Sequence, residues 1–267
     1  MSGEPIERIF PAASGEASDA DLLDWYAAPS VDGGSGPASG DGSGTWVGFN
    51  FVSSVDGAAT VAGRSGGLGN AADQRIFLLL RRLADVLLVG ASTIRVEGYA
   101  GPLLDTAAQE WRVAHGKSAH PGIAVVSGSL DLDPDIDFFR LAPVRPVVLT
   151  TASAPQARRA ALATVADVVD AGETTLDVDS AIAALAERGW LRIHSEGGPH
   201  VLGTFAAAHR VDELCLTLSA KLAAGGAGRI AAGPPLEVPA EMELAHVLRS
   251  GSMLFLRYVR GENRVRP

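Results

Sequence analysis

Cysteine is nearly absent: Cys215 stands alone in 267 residues, inside the apolar run Leu214-Cys215-Leu216. One cysteine excludes a disulfide framework, reads as a core side chain and fits a reducing compartment. It also excludes a zinc cluster. The six histidines (115, 120, 194, 200, 209, 246) form no HExxH, and no CxxC or HxE pair exists for a zinc nucleobase deaminase, so no metal site is expected. Long apolar runs are missing too: none approaches the roughly 20 residues that span a bilayer. The amino terminus carries Glu4 and Glu7 and no apolar leader core, which predicts a cytoplasmic protein. Positive charge is scarce, with 22 Lys and Arg against 31 Asp and Glu and a net charge of −9. That argues against nucleic acid or a membrane surface as partner, since both need clustered cations. Any anionic ligand must then be held by local geometry. Present instead is enough apolar sequence, 47% against 20% charged, to bury a sizeable core.

Residues 30–44, SVDGGSGPASGDGSG, contain almost nothing that packs and read as a linker, so residues 1–44 form an extension and the domain proper covers 45–267. Within the extension, Asp19 to Ala28 suits a short helix that docks onto the domain or onto another subunit. From Thr45 onward strand and helix patterns alternate. Strands are predicted over 46–53, 85–90, 123–127, 146–151, 165–169, 190–195, 213–219 and 252–259. Helices are predicted over 71–84, 153–163, 178–188 and 199–208, the first capped by Asn70 with Asp73 three residues on, the third ended by Gly189. Strands joined through single helices imply a mostly parallel sheet covered on both faces. The Gly- and Pro-rich connection 223–240 before the last strand suggests an antiparallel edge. No internal repeat is present.

In such a sheet ligands sit beyond the carboxyl ends of the strands. Three strand ends carry the right residues. At the first, Glu196-Gly197-Gly198-Pro199 follows Trp190 to Ser195 and opens a helix; two glycines permit close backbone approach, Pro199 suits the first helical position, and the free N–H groups of that turn favour phosphate. At the second, Gly90-Ala91-Ser92-Thr93-Ile94-Arg95 follows Val86 to Val89. At the third, Thr150-Thr151-Ala152-Ser153 precedes Arg158 and Arg159, which either meet a 2′-phosphate or cap a helix. An isolated glycine turn is often no more than a turn. Residues 50–70 differ, with Asp56-Gly57 in a turn and a loop of small residues around Ser65. Gly63-Arg64-Ser65-Gly66-Gly67 also matches a hydrolase nucleophile elbow. An elbow needs a strand directly before the serine and a helix directly after; Ala58 to Ala62 is weakly strand-like and the helix starts about five residues late, so a serine hydrolase is kept only as the weakest reading.

Taken in order, Ser54-Val55-Asp56-Gly57, Val89 to Arg95, Glu196 to Leu202 and Val211-Asp212-Glu213-Leu214 resemble the reductase domain of riboflavin biosynthesis, in a stand-alone form, from about Thr45 to Arg260. The resemblance implies a dihydrofolate-reductase-like α/β fold, NADPH as cofactor, and reduction of 5-amino-6-(5-phosphoribosylamino)uracil to its ribitylamino product. It implies cofactor contacts at Ser53, Gly67, Gly90, Ala91, Thr93, Arg95, Glu97, Ser127, Thr150, Thr151, Gly197, Gly198, Pro199, His200, Val201 and Leu202. It places Asp56, Ser65, Arg81 and Glu196 against the substrate, with Glu196 and Asp56 as the catalytic pair. A homodimer is the family habit. Two features depart from the pattern: Asn50 stands where such reductases commonly have lysine, and no deaminase domain accompanies the chain. Three readings follow: the riboflavin-pathway reductase, a reductase of a pterin such as dihydrofolate, and an NADPH-binding protein without turnover.

Overall fold

The computed structural model describes residues 4–28 and 44–261. Of the linker expected over 30–44, only Gly44 lies among the described residues. In chain order the elements are β1 (Glu7–Phe10), α1 (Asp19–Trp25), β2 (Trp46–Ser54), α2 (Ala71–Leu83), β3 (Val86–Gly90), α3 (Ala91–Thr93) running into a π-helical turn (Ile94–Gly98), α4 (Thr106–Ala114), β4 (Gly122–Val126), α5 (Asp137–Arg140), β5 (Val147–Thr150), α6 (Gln156–Leu162), β6 (Asp167–Asp170), α7 (Val178–Ala186), β7 (Arg192–Ser195), α8 (Pro199–Ala207), β8 (Glu213–Ser219), β9 (Glu243–Ser250) and β10 (Met253–Val259). All eight predicted strands and four predicted helices are present within a few residues.

The strands form one sheet in the order β1-β9-β10-β8-β2-β7-β3-β4-β5-β6. Pairing is parallel from β8 through β6 and antiparallel among β8, β10, β9 and β1. The antiparallel C-terminal edge is therefore correct, but it is wider than expected. Sequence reading missed β9, whose Glu243, His246 and Arg249 break up the apolar pattern, and β1, only four residues long. It also missed α4 and the single-turn α5.

Helices α7 and α8 bury Ile182, Leu185, Leu202 and Phe205 on one sheet face with Phe49, Leu88 and Ile193. On the other face α2 packs Ile76, Leu79, Leu80 and Leu83 with Cys215, Leu248 and Phe255. Residues 4–28 complete that second layer, because Ile6, Leu22, Leu23 and Tyr26 are buried in the same cluster. The helix expected near Asp19 is thus docked on the sheet and against α2. Its C-terminal carbonyls are claimed by two arginines from the sheet. Arg257 donates to Trp25 and, at 3.0 Å, to Ala27, and Arg192 donates to the Tyr26 carbonyl at 2.6 Å. Glu213 balances this charge by accepting from Arg257 Nε (2.6 Å) and Trp46 Nε1 (2.7 Å). Gly48 makes room, since a Cβ there would lie 3.0 Å from Glu213 Oε2. Cys215 is buried below, its thiol pushed well up first by burial and then by Glu213, as suits a core residue and not a nucleophile. No described helix is long and apolar enough to cross a membrane.

Candidate active site

The carboxyl ends of β2, β3 and β7 open into a cleft of about 610 Å³. Its floor is built by β7. Glu196 follows the last residue of that strand, and its backbone N–H still bonds to the Leu88 carbonyl at 3.0 Å, which fixes the side chain beneath α2. Arg81, in the last turn of α2, meets it end on: Nε donates to Oε1 at 2.6 Å and Nη2 to Oε2 at 2.8 Å. Tyr99, just past the π-helical turn, donates its hydroxyl to Oε2 at 2.6 Å. The guanidinium lies 4.2 Å over the Phe77 ring and 5.5 Å from that of Tyr99. With side-chain exposures of 11% and 2%, Arg81 and Glu196 form a buried, bidentate pair.

The electrostatics follow from that pairing. Burial pushes the Glu196 carboxyl up, but the adjacent Arg81 charge and its hydrogen bonds outweigh burial and hold the group below its usual value. Tyr99 goes the other way, pushed well above its usual value by burial and then by Glu196. At neutral pH the cluster is a carboxylate, a guanidinium and a protonated phenol. Glu196 orients its two neighbours and has no proton to give.

The glycine turn is tightly built. Gly197 has φ of +91°, the Gly197–Gly198 peptide is cis, and Gly198 caps α8 with Pro199 as its first residue. A Cβ on Gly197 would come within 2.9 Å of Phe51, and one on Gly198 within 3.0 Å of Thr93 Oγ1. Gly90 receives the turn from the other side: its N–H bonds to the Gly197 carbonyl at 2.7 Å, and a Cβ would lie 3.1 Å from Val201. Close backbone approach between the ends of β3 and β7 is why glycine stands at all three positions.

The residues singled out from the sequence divide into groups. Ser65, Arg81, Thr93, Glu97, Glu196, Gly198 and Pro199 line the cleft, as does Asn50. Gly90, Ala91, Gly197, Val201 and Leu202 are buried in the β3, β7 and α8 packing around it, while His200 is exposed. Ser127, Thr150 and Thr151 are buried at the ends of β4 and β5, outside the cleft lining; Thr150 Oγ1 has no hydrogen-bond partner. Arg95 turns away, donating to the Asp131 carbonyl at 2.7 Å. Arg159 is engaged by Asp170 (2.6 Å) and the Thr151 carbonyl (2.8 Å). Ser53 is buried within β2, and Gly67 lies in the 61–68 turn, where its carbonyl accepts from Lys221 Nζ at 2.6 Å.

Asp56 is not among the lining residues. It accepts from the Ser54 hydroxyl and from the backbone N–H groups of Ala223 (3.1 Å) and Ala224 (2.7 Å). Those bonds, the serine first, hold its carboxyl at about 2 although it is exposed. Asp56 is thereby the pin between the β2 turn and the loop after β8. Ser65 likewise has a structural partner: its N–H and hydroxyl donate to Glu97 Oε1 at 3.0 and 2.9 Å. Turns precede it and α2 begins only at Ala71, six residues later, so no nucleophile elbow exists. His194 and His246 are buried in β7 and β9 and pushed down to about 4 by burial, away from any role as a base for Ser65. Among the described residues no group of three His, Cys, Asp or Glu side chains converges on a metal position. Sequence reading missed Asp73, Phe77 and Tyr99 as cleft residues. The first two had a signal in their spacing of four from each other and from Arg81 on one helix; Tyr99 had none.

A ten-stranded, mostly parallel α/β sheet with its cleft at the strand ends and a glycine turn opening α8 defines the dihydrofolate-reductase-like class. Residues 45–256 match the RibD C-terminal domain model, and the chain belongs to that family. Similar solved structures include a pyrimidine reductase-like protein from Corynebacterium diphtheriae, 26% identical over 81% of this chain and 92% of that one, with a TM-score of 0.69. A diaminohydroxyphosphoribosylaminopyrimidine deaminase/5-amino-6-(5-phosphoribosylamino)uracil reductase from Thermotoga maritima is 16% identical, with a TM-score of 0.62, and the match takes in 81% of this chain but only 57% of that protein. A riboflavin biosynthesis reductase from Saccharomyces cerevisiae is 14% identical over 81% of this chain and 90% of its own, with a TM-score of 0.54. No curated protein matches the chain.

Proposed function

We propose that this protein is an NADPH-dependent reductase of a pyrimidine- or pterin-type ring compound. The observation that carries the reading is the Arg81–Glu196–Tyr99 cluster on the cleft floor, directly beside the glycine turn that opens α8. The residues present fit a dinucleotide. At the start of α8 the His200 amide can serve a pyrophosphate, since Pro199 has no N–H and the Val201 and Leu202 amides bond to the Gly198 carbonyl; Gly198 leaves against Thr93 the space a side chain would fill, and Thr150 Oγ1 is a buried hydroxyl in want of a partner at the end of β5. Bound there, NADPH supplies a hydride. The protein's part is positioning: Phe77 and Tyr99 give the substrate a flat wall, Arg81 and Tyr99 fix polar edges without changing protonation, and the glycine turn admits the cofactor backbone to backbone.

Two substrates fit this class. Membership of the RibD C-terminal domain family supports the first, riboflavin-pathway reduction of the aminopyrimidine ribotide. The lining favours the second at this spot, because the ring N–H groups of a pterin such as dihydrofolate can donate to carboxylates whereas a phosphate can only accept. The lining carries three carboxyl groups, on Asp73, Glu97 and Glu196, against the single guanidinium of Arg81, which is already paired, and residue 50 is asparagine. NADPH oxidation measured side by side with the ribotide and with dihydrofolate separates them. Turnover of either supports the reductase reading, and NADPH that neither binds nor is oxidised overturns it.

A further inference from the structure

Residues 4–28 lie outside the cleft, yet they back one of its walls. Helix α2 carries Gln74, Phe77 and Arg81 at intervals of three and four, and all three line the cleft. Its buried apolar side chains, Ala72, Ile76, Leu79, Leu80 and Leu83, share one cluster with Ile6, Leu22, Leu23 and Tyr26, and α1 packs directly on α2. Polar contacts run the same way. Arg75 of α2 donates to Asp19 Oδ1 at 2.7 Å and to the Ala17 carbonyl at 3.1 Å. Alternation along β7 turns Arg192 and Glu196 to the same side of the sheet. Arg192 donates to the Tyr26 carbonyl at 2.6 Å, and Glu196 accepts from Arg81 at the same distance. α2 is therefore held over β7 twice, directly through Arg81 and indirectly through the extension.

The glycine turn and its helix are supported from elsewhere. α8 packs through Val201, Leu202 and Phe205 into the cluster on the opposite sheet face, which holds no residue of 4–28. Resting on the reductase reading above, we propose that residues 4–28 are a positioning element for the ring-binding half of the cleft. Docked, they hold α2 in register with β7, so that Phe77 and Arg81 meet the ring. Undocked, they release α2 and leave the dinucleotide half in place. The ring and the extension need not touch, because α2 presents one stripe to the cleft and another to the extension. A free-energy coupling of this kind is reciprocal: docking raises affinity for the ring, and a bound ring strengthens docking by the same factor.

Hydrogen exchange of the full chain tests this without altering a residue. The probe is 2,4-diaminopyrimidine, a flat ring rich in N–H donors, at about ten times its dissociation constant. Amides of residues 19–26 and 76–83 then exchange about tenfold slower, because each opening of the extension must first release the ring. Amides of β5 and β6 change by less than about twofold, and NADPH at about ten times its own constant slows residues 19–26 by less than about twofold. Slowing at 76–83 without slowing at 19–26, equal slowing along the whole chain, or equal slowing by NADPH overturns the proposal. Leu22→Ala supplies a second readout on the full chain. Its affinity for the diaminopyrimidine falls about tenfold while that for NADPH stays within about twofold, and its α2 amides exchange about tenfold or more faster with β5 and β6 unchanged. Loss of both affinities together, or of neither, overturns the proposal. If the wild type binds no diaminopyrimidine and turns over no substrate, the reductase reading fails. α2 amides that exchange alike in Leu22→Ala and wild type then overturn the role of residues 4–28 independently.

Discussion

Replacing Arg81 with leucine leaves Glu196 buried beside an apolar side chain, and the outcome follows from the geometry of the pair. The carboxylate loses two charge-assisted bonds, at 2.6 and 2.8 Å, and keeps only the Tyr99 hydroxyl at 2.6 Å. Stranding one partner of a buried pair costs about 3–5 kcal/mol, which in a domain of this size lowers Tm by roughly 6–20 °C. The pH dependence is the sharper signature. In the wild type Glu196 titrates below its ordinary value of 4.5, so its contribution to stability is fully present above that pH and is lost only as pH falls through the lower folded-state value. Without Arg81 the opposing effect of burial is left unbalanced and the folded-state value rises above 4.5. The sign then reverses: the variant is least penalised below that pH and loses stability as pH climbs through the raised value. Urea unfolding of both proteins from pH 4 to pH 8 should show the gap widening with pH. A gap that is constant across the series, or smaller than about 1 kcal/mol at neutral pH, would refute the idea that Arg81 is what keeps Glu196 ionised.

Gly197→Ala combines a φ of +91° with a Cβ 2.9 Å from Phe51, so it should cost about 1–3 kcal/mol and weaken NADPH binding, measured by thermal unfolding and calorimetry; a neutral outcome contradicts the close approach. Leu22→Ala removes a fully buried side chain of α1 and should cost about 2–5 kcal/mol in urea unfolding, whereas a loss under about 1 kcal/mol would mean that residues 4–28 contribute little to the fold. Asp56→Ala removes the acceptor of the Ala223 and Ala224 amides, and hydrogen exchange at those two positions should accelerate severalfold with kcat less affected than KM; unchanged exchange would dismiss Asp56 as the pin of that loop. Ser65→Ala keeps the amide bond to Glu97 and should cost only about 1 kcal/mol, so a large loss would assign the hydroxyl a role the structure does not give it.

The parallel core was legible because buried strands such as Val86 to Gly90 are continuous apolar runs and their helices carry caps, as at Asn70. What escaped was set by tertiary context. β1 is four residues long and exists as a strand because β9 offers it an edge, and β9 sets exposed Glu243 and Arg249 around buried His246, Val247 and Leu248, a pattern that matches no strand period. The glycine turn was readable in one dimension, since Gly90, Gly197 and Gly198 are demanded by backbone contact. The partner of Glu196 was foreseen only as another substrate contact: that Arg81 saturates the carboxylate instead of waiting for a ligand depends on α2 crossing β7, which no local pattern encodes. Asp56 was set against the substrate by the resemblance alone, and its bonds run to a loop some 167 residues away.

Calorimetric titration of the full chain with NADPH, followed in the same sample by dihydrofolate or the aminopyrimidine ribotide while nicotinamide absorbance is recorded, tests the central claim most directly. Saturable NADPH binding that Gly197→Ala weakens, with oxidation on adding one of the two substrates, is the predicted result. NADPH that shows no saturable binding, or binding that Gly197→Ala leaves untouched, would contradict it.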